Sequence, residues 1–92
     1  MEVLSFTASW CQPCKALAQQ LEELGLDEEV TVIDIDEQSN LAIQYGVRSV
    51  PTLVALDNQK EVKRLIGVKA KDILLDWFPK SEKNPNIVKS NN

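Results

Sequence analysis

Two cysteines placed three positions apart are the residues of this chain best suited to chemistry. Cys11 and Cys14 are its only cysteines, and they lie where a strand-like run gives way to a helical pattern. Positions i and i+3 of a helix are neighbours, with Cβ atoms about 5–6 Å apart. A small adjustment brings two cysteines at that spacing within disulfide distance. The pair therefore predicts a thiol–disulfide couple that exchanges with other disulfides.

The two cysteines are not equivalent in the pattern. Cys14 begins an apolar stripe that continues through Leu17, Leu21 and Leu24, so it should face the protein. Cys11 precedes the first helical turn and should be the exposed one. Its sulfur should lie near the unpaired backbone N–H groups and the positive end of the helix, which stabilise a thiolate. This asymmetry favours Cys11 as the attacking sulfur and Cys14 as the shielded, resolving one.

A zinc site and a structural disulfide are alternative uses of such a pair. A structural zinc site takes four ligands, and this chain has two cysteines and no histidine, so only sharing between subunits would complete one. A structural disulfide would close a very small loop and add little stability. Two incidental buried cysteines are the third alternative. The strand–helix–strand context favours the redox interpretation.

The overall composition narrows the function classes further. The chain has 92 residues, which suits one domain, and it carries a net charge of −4 with no histidine. Mechanisms that need a histidine, either as a base or as a metal ligand, are therefore excluded. An acidic chain without a basic stripe argues against a nucleic-acid partner. We expect a monomer with no metal ion.

Membrane and export signals are not evident in the sequence. No run approaches the about 20 apolar residues of a membrane span. Met1 leads straight into strand-like sequence, without a basic segment followed by an apolar one. We therefore expect a cytoplasmic protein that does not act at a membrane.

The rest of the chain supplies the elements that must position the cysteines. Extended runs predict strands over 3–7, 30–35, 51–56 and 61–66. The predicted helices are a cysteine-bearing helix ending at Gly25, a short one over 39–45, and a last one stopped by Pro79. The last helix should bury one face, made of Ala70, Ile73, Leu74, Trp77 and Phe78.

The element order, β-α-β-α-β-β-α, predicts the topology. The first two strands should be parallel and joined by a right-handed crossover through the cysteine helix. The last two should form an antiparallel hairpin that turns at residues 57–59. We expect an α/β fold with a mixed four-stranded sheet flanked by helices, over residues 1–79. Residues 80–92, rich in Lys, Asn and Ser, should form a mobile tail.

Two distant segments resemble the thioredoxin family. The first, Trp10-Cys11-Gln12-Pro13-Cys14-Lys15, is similar to the family's active-site segment Trp-Cys-Gly-Pro-Cys-Lys. The second, over residues 45–53, resembles the segment that holds the family's cis-proline, which corresponds to Pro51. Gly67 matches a glycine that follows the hairpin. The resemblance covers residues 3–78 and implies a thioredoxin-like fold.

The resemblance also implies a function, that of a protein-disulfide reductase. Cys11 would attack the disulfide of a partner protein, and Cys14 would release the reduced partner. The Val50–Pro51 bond would be cis, and Trp10, Val50, Pro51 and Gly67 would rim a shallow apolar groove for the substrate chain. The chain itself would bind no cofactor. Its electrons would come from an NADPH-dependent flavin enzyme, a thioredoxin reductase.

The sequence also departs from the family's pattern. Gln12 replaces a glycine, Ser5 stands where the family has a buried aspartate, and Val32 stands where it has a lysine. The family's opening strand and helix are absent, so the strand over 30–35 should be a sheet edge. Two alternative functions are a glutathione-dependent, glutaredoxin-like reductase and a thioredoxin-fold binding subunit with dispensable thiols. Glutaredoxins usually carry a tyrosine within the CxxC motif and a double glycine after the hairpin, and neither is present here.

Overall fold

Four strands form one mixed sheet in the computed structural model, which describes residues 1–79. They are β1 (Glu2–Thr7), β2 (Val30–Asp34), β3 (Thr52–Asp57) and β4 (Lys60–Ile66), in the spatial order β2-β1-β3-β4. The β1–β2 pair is parallel and the other two pairs are antiparallel. The predicted mixed sheet is confirmed. The tail predicted over 80–92 lies outside the described residues.

Three helices connect and cover the strands. They are α1 (Gln12–Glu23), α2 (Ser39–Gln44) and α3 (Lys71–Trp77), and a 3₁₀ turn (Asp27–Glu29) follows α1. Gly25, one residue beyond the C-cap of α1, has a φ of +73°, a left-handed conformation that glycine adopts at little cost. The cysteine helix thus ends just before Gly25, where the sequence predicts its end.

The sheet buries apolar side chains on both faces. On one face Val3, Leu53 and Ala55 pack with Leu17 and Leu21 of α1 and with Leu74 and Phe78, which lie on and just after α3. On the other face Leu4, Phe6, Ile33, Val54 and Leu56 pack with residues in and around α2, including Leu41 and Tyr45. Truncating such a buried leucine to alanine costs about 2–5 kcal/mol. This packing holds α1 against the sheet.

The last helix buries a narrower stripe than the sequence predicts. Leu74 and Phe78 are buried and Trp77 is partly buried, but Ile73 is 50% exposed. Ala70 is exposed too, because it lies before the helix as its N-cap residue. The prediction that all five residues share one buried face is therefore wrong. The stripe is set by Leu74 and Phe78, four positions apart, and Ile73 falls to its side.

The hairpin between β3 and β4 turns tightly. Its central residues, Asn58 and Gln59, have φ values of +53° and +68°, as a two-residue turn matching the twist of the strands requires. The hairpin places β4 at one edge of the sheet, and β2 forms the other edge, as predicted.

Candidate active site

The two cysteines lie where β1 passes into α1. Cys11 is the N-cap residue of the helix, with extended backbone angles, and Cys14 lies in the first turn. The Cys11 N–H donates to the carbonyl oxygen of Ala8 at 3.2 Å, which closes the turn after the strand. The cysteines form a disulfide with their Cα atoms 5.3 Å apart, well within the usual range. The predicted pairing of these two residues is confirmed.

The start of the helix points a hydrogen-bond donor at Cys11. The Cys14 N–H donates to Cys11 Sγ at 3.2 Å, so this sulfur serves as the helix cap. In the reduced protein the same N–H and the positive end of the helix favour a thiolate at Cys11. Gln12 and Pro13 begin the helix and are exposed, as is Lys15. Proline is suitable in this first turn because N–H groups there have no partner within the helix, so the N–H that Pro13 lacks is not needed.

Exposure does not distinguish the two cysteines in the disulfide. Cys11 is 4% exposed and Cys14 is 5% exposed, so the prediction that Cys11 is the exposed residue is wrong for this state. Both sulfurs belong to a small apolar cluster with Ala8, against which Ile35 and Val50 pack. These two side chains, which are partly buried, cover Cys11, whereas the apolar periodicity of the helix alone predicts that Cys11 is exposed.

The surroundings of the two sulfurs do differ. Cys11 Sγ lies 3.7 Å from the carbonyl oxygen of Val50, on the loop that leads into β3. Cys14 instead lines a cavity between α1 and the sheet. The disulfide is thus flanked by a packed loop next to Cys11 and by open space next to Cys14.

The loop next to Cys11 is held by hydrogen bonds at several points. The Val50–Pro51 peptide bond is cis, as the resemblance implies. The Gly67 N–H donates to the carbonyl oxygen of Pro51 at 2.9 Å, and Thr52 Oγ1 donates to that of Ser49 at 2.7 Å. Gly67 has a φ of +87°, which favours glycine at this position. Val50, Pro51 and Gly67 are therefore brought together beside the cysteines.

Trp10, the remaining residue predicted for the groove, is oriented by an aspartate. Its side chain is exposed, and its Nε1 donates to Asp36 Oδ2 at 2.9 Å. The Asp36 N–H in turn donates to Asp34 Oδ1 at 2.8 Å. This chain of contacts fixes the indole ring next to Cys11 and leaves it accessible to a partner.

Sequence reasoning missed the residues that hold these features in place. Asp36 belongs to a polar, acidic stretch, and nothing in the sequence pairs it with Trp10. Thr52 is 2% exposed, and its position directly after the predicted cis-proline was the only available signal. Ala8 lies between the strand and the cysteines, and nothing in the sequence indicates that its carbonyl oxygen accepts a hydrogen bond from the Cys11 N–H.

A cavity of about 570 Å³ opens between α1 and the β1–β2 half of the sheet. Ser5 and Thr7 line it from β1, and Cys14 and Pro51 also contribute to its wall. Its ionisable lining residues are Lys15, Glu22 and Asp27, which are all exposed. Ser5 cannot ionise, so the buried carboxylate of the family's pattern has no counterpart at this position. Cys14 and Ser5 thus lie in the wall of the same cavity.

Residues 1–79 contain neither a cluster of metal-ligating side chains nor a membrane-spanning helix. In that part of the chain no three side chains of His, Cys, Asp or Glu are grouped so that they could hold a metal ion. None of the three described helices is long and apolar enough to cross a membrane.

Comparison with known proteins gives one consistent family. The family model named Thioredoxin matches residues 1–80. The chain is 36% identical over 83 residues to thioredoxin of Rickettsia felis, an alignment that covers 86% of this chain and 79% of that protein. It is 41% identical over 83 residues to thioredoxin of Chlamydia trachomatis, covering 87% and 81% of the two chains.

Solved structures give the same result. A mutant thioredoxin from Halobacterium salinarum superposes with a TM-score of 0.68 at 39% identity, covering 80% of this chain and 67% of that one. Fasciola hepatica thioredoxin superposes with a TM-score of 0.71 at 32% identity, covering 80% and 73%. The architecture of the chain is thus shared with these two thioredoxins, at 39% and 32% sequence identity.

Proposed function

The chain belongs to the thioredoxin family, and we propose that its Cys11 and Cys14 thiols reduce disulfide bonds of partner proteins. Members of this family are disulfide oxidoreductases, and this chain is one of them. The observation that carries the residue assignment is the Cys14 N–H donated to Cys11 Sγ at the start of α1. It favours the thiolate form at Cys11 over Cys14, and the thiolate is the nucleophile in disulfide exchange.

In the first step, the Cys11 thiolate attacks one sulfur of a substrate disulfide. A bond forms between Cys11 Sγ and that sulfur, the substrate S–S bond breaks, and the other substrate sulfur leaves as a thiolate. The positive end of α1 stabilises the attacking charge before the reaction. The product is a mixed disulfide between Cys11 and the substrate.

In the second step, Cys14 loses its proton and attacks Cys11 Sγ. The Cys11–Cys14 disulfide forms, and the second substrate sulfur leaves as a thiolate, so the substrate has gained two electrons in total. The proton of Cys14 passes to water in the cavity or to the departing thiolate, because Ser5 is no base at neutral pH. Support for this assignment comes from the cavity wall, where Cys14 and Ser5 both lie.

The substrate chain binds in the groove formed by Trp10, Val50, Pro51 and Gly67. Trp10 offers an exposed indole surface, and the cis-proline loop lies against Cys11. Because hydrogen bonds at Pro51 and Asp36 fix this rim, the substrate sulfur meets Cys11 with little reorganisation. At the start of the helix lie Gln12, Pro13 and Lys15, which take no direct part in the disulfide exchange.

Regeneration requires two electrons from outside the chain. Thioredoxins act on disulfide-bearing substrates and are reduced by thioredoxin reductase. We assign the same route here: NADPH supplies the electrons through the flavin of the reductase, and this chain carries no cofactor beyond its disulfide. One chain holds both cysteines and the whole groove, so it works as a monomer. The cycle involves neither nucleic acid nor membrane, and we place it in the reducing cytoplasm.

Insulin reduction with three electron sources tests this function. We expect turnover with dithiothreitol and with NADPH plus thioredoxin reductase, and little with glutathione alone. Turnover with glutathione that matched the reductase-driven rate would instead support the glutathione-dependent alternative. The control is the double variant with Cys11→Ser and Cys14→Ser, which should be inactive with every source.

A further inference from the structure

The two edges of the sheet differ in how they are protected. The β4 edge carries Lys60, Glu61, Lys63 and Arg64, and its ladder with β3 shifts register between Ala55 and Leu56. Charges and register irregularities of this kind discourage the addition of another strand. The β2 edge has neither feature over residues 30–33, which read Val-Thr-Val-Ile. Within residues 1–79 no strand pairs with the outer side of β2.

The outer side of β2 presents backbone groups that can pair. The Ile35 N–H donates to the carbonyl oxygen of Thr7 at 2.9 Å, on the inner side. Because successive residues of a strand point their N–H and C=O groups to opposite sides, those of Val32 and Asp34 point away from β1. The Asp34 carbonyl oxygen already accepts from the N–H groups of Glu37 and Gln38. An extended segment placed there would therefore find donors at Val32 and Asp34 and an acceptor at Val32.

An apolar groove accompanies this edge. Val32 is 63% exposed, and it forms one wall of the cavity together with Val30, while Ala18 and Leu21 of α1 form the other. At about 570 Å³ the cavity has room for apolar side chains of an added strand. Strand addition draws affinity from main-chain bonds and specificity from such pockets for alternate side chains.

The charge around β2 selects the kind of partner. Residues 16–47 contain no Lys or Arg, and they carry eight acidic residues: Glu22, Glu23, Asp27, Glu28, Glu29, Asp34, Asp36 and Glu37. Glu23 is paired with Lys71, and one cation, Lys15, lines the groove, so negative charge still predominates. Three of the acidic residues directly precede β2, and the last three end it or follow it. A second copy of this chain would bring the same negative charge to the edge and be repelled. A segment with Lys or Arg would be attracted.

We propose that the β2 edge and its adjoining groove bind an extended segment of another protein that alternates apolar residues with Lys or Arg. The segment adds to the sheet as a fifth strand, with its apolar side chains in the groove and its cations facing the acidic residues around β2. This docking surface does not depend on the thiols, so it can be tested in the disulfide form of the protein.

The probe is an acetylated, amidated peptide Lys-Val-Lys-Val-Lys-Val-Lys added to the ¹⁵N-labelled disulfide form. Binding should slow amide exchange at Val32 and Asp34 by at least tenfold and leave β4 unchanged. A matched peptide has N-methyl groups on alternate residues, which keep the charge and remove the pairing donors. It should bind at least tenfold more weakly. Equal binding of the two peptides would show charge attraction without strand addition and overturn the proposal.

Two protein variants locate the site. Val32→Lys places a charge on the β2 edge and should weaken peptide binding at least tenfold. Val62→Lys is the control, because Val62 is also exposed but lies on β4; it should change binding by less than twofold. Equal effects of the two variants would overturn the proposal. So would tighter binding of the matching Glu-Val peptide, or a dimer of the unliganded chain in sedimentation experiments.

Discussion

The two sides of the disulfide are built differently. Next to Cys11, hydrogen bonds from Gly67 and Thr52 hold the cis-proline loop, and the carbonyl oxygen of Val50 lies 3.7 Å from Cys11 Sγ. Next to Cys14, the cavity leaves room between α1 and the sheet, with Ser5 in its wall. Under the proposed function, the first side fixes the geometry in which a substrate meets Cys11. The second side would let the Cys14 proton pass to water, since no carboxylate is buried there.

The largest expected difference is in thiol reactivity. In the reduced protein Cys11 should react with iodoacetamide ~100-fold faster than Cys14, because the helix start favours its thiolate. Mass spectrometry of the alkylated peptides at successive times measures both rates. Comparable rates at the two residues would break the comparison, since they would show that the Cys14 N–H and the helix end do not favour Cys11.

Ser5→Asp should restore a carboxylate beside Cys14 at a cost in stability. Ser5 is buried, so an aspartate there would have a raised pKa. Its penalty is absent below the unfolded pKa near 4, and it grows as pH rises above that value until the folded pKa is passed. We expect a loss of about 1–3 kcal/mol at pH 8 in the free energy of unfolding. Urea titrations at pH 4 and pH 8 measure it.

Ser5→Ala is the matched control for the same position. It should leave the resolution of the mixed disulfide within about twofold of the wild-type rate, because the hydroxyl is not the base. Stopped-flow tryptophan fluorescence gives this rate. A tenfold slower step would mean that the hydroxyl handles the proton. A stability loss in Ser5→Asp that did not vary with pH would mean that position 5 is not buried below the cysteines.

Gly67→Ala tests the packed side. The φ of +87° at Gly67 is unfavourable for alanine, so we expect a loss of about 1 kcal/mol together with slower insulin reduction. Gly25→Ala is the control, because Gly25 also has a positive φ, +73°, but lies at the far end of α1. It should lose similar stability and keep its activity once folded. Equal activity losses in the two variants would show that the hydrogen bond between Gly67 and Pro51 has no specific role in activity.

Much of this comparison could be predicted from the sequence. The apolar periodicity of α1, the glycine at its end and the proline in its first turn located the cysteine helix. The hydrophobic runs gave the four strands, and the cis-proline followed from the family resemblance. These features are local or carried by a motif, which is why a single sequence reveals them. Roles for Trp10, Val50, Pro51 and Gly67 in substrate binding are still predictions.

What the sequence did not predict depends on contacts between distant residues. The burial of Cys11 is set by Val50 and Ile35, which approach it only in the folded sheet. The Trp10–Asp36 hydrogen bond joins residues 26 positions apart. Helical periodicity gave Ile73 a place on the buried face, but the actual contact stripe of α3 is too narrow to include it. The size of the cavity depends on how α1 lies over β2, and a local sequence pattern does not predict the placement of a helix on a sheet.

Trapping the mixed disulfide tests the central assignment most directly. Cys14→Ser removes the resolving sulfur, so incubation of this reduced variant with a disulfide-bearing protein such as insulin should accumulate a covalent complex through Cys11. Peptide mapping by mass spectrometry identifies the linked residue. The reciprocal variant, Cys11→Ser, should yield no complex and no reduction. A stable complex through Cys14 in Cys11→Ser, formed as fast as the complex through Cys11, would contradict the assignment of the nucleophile.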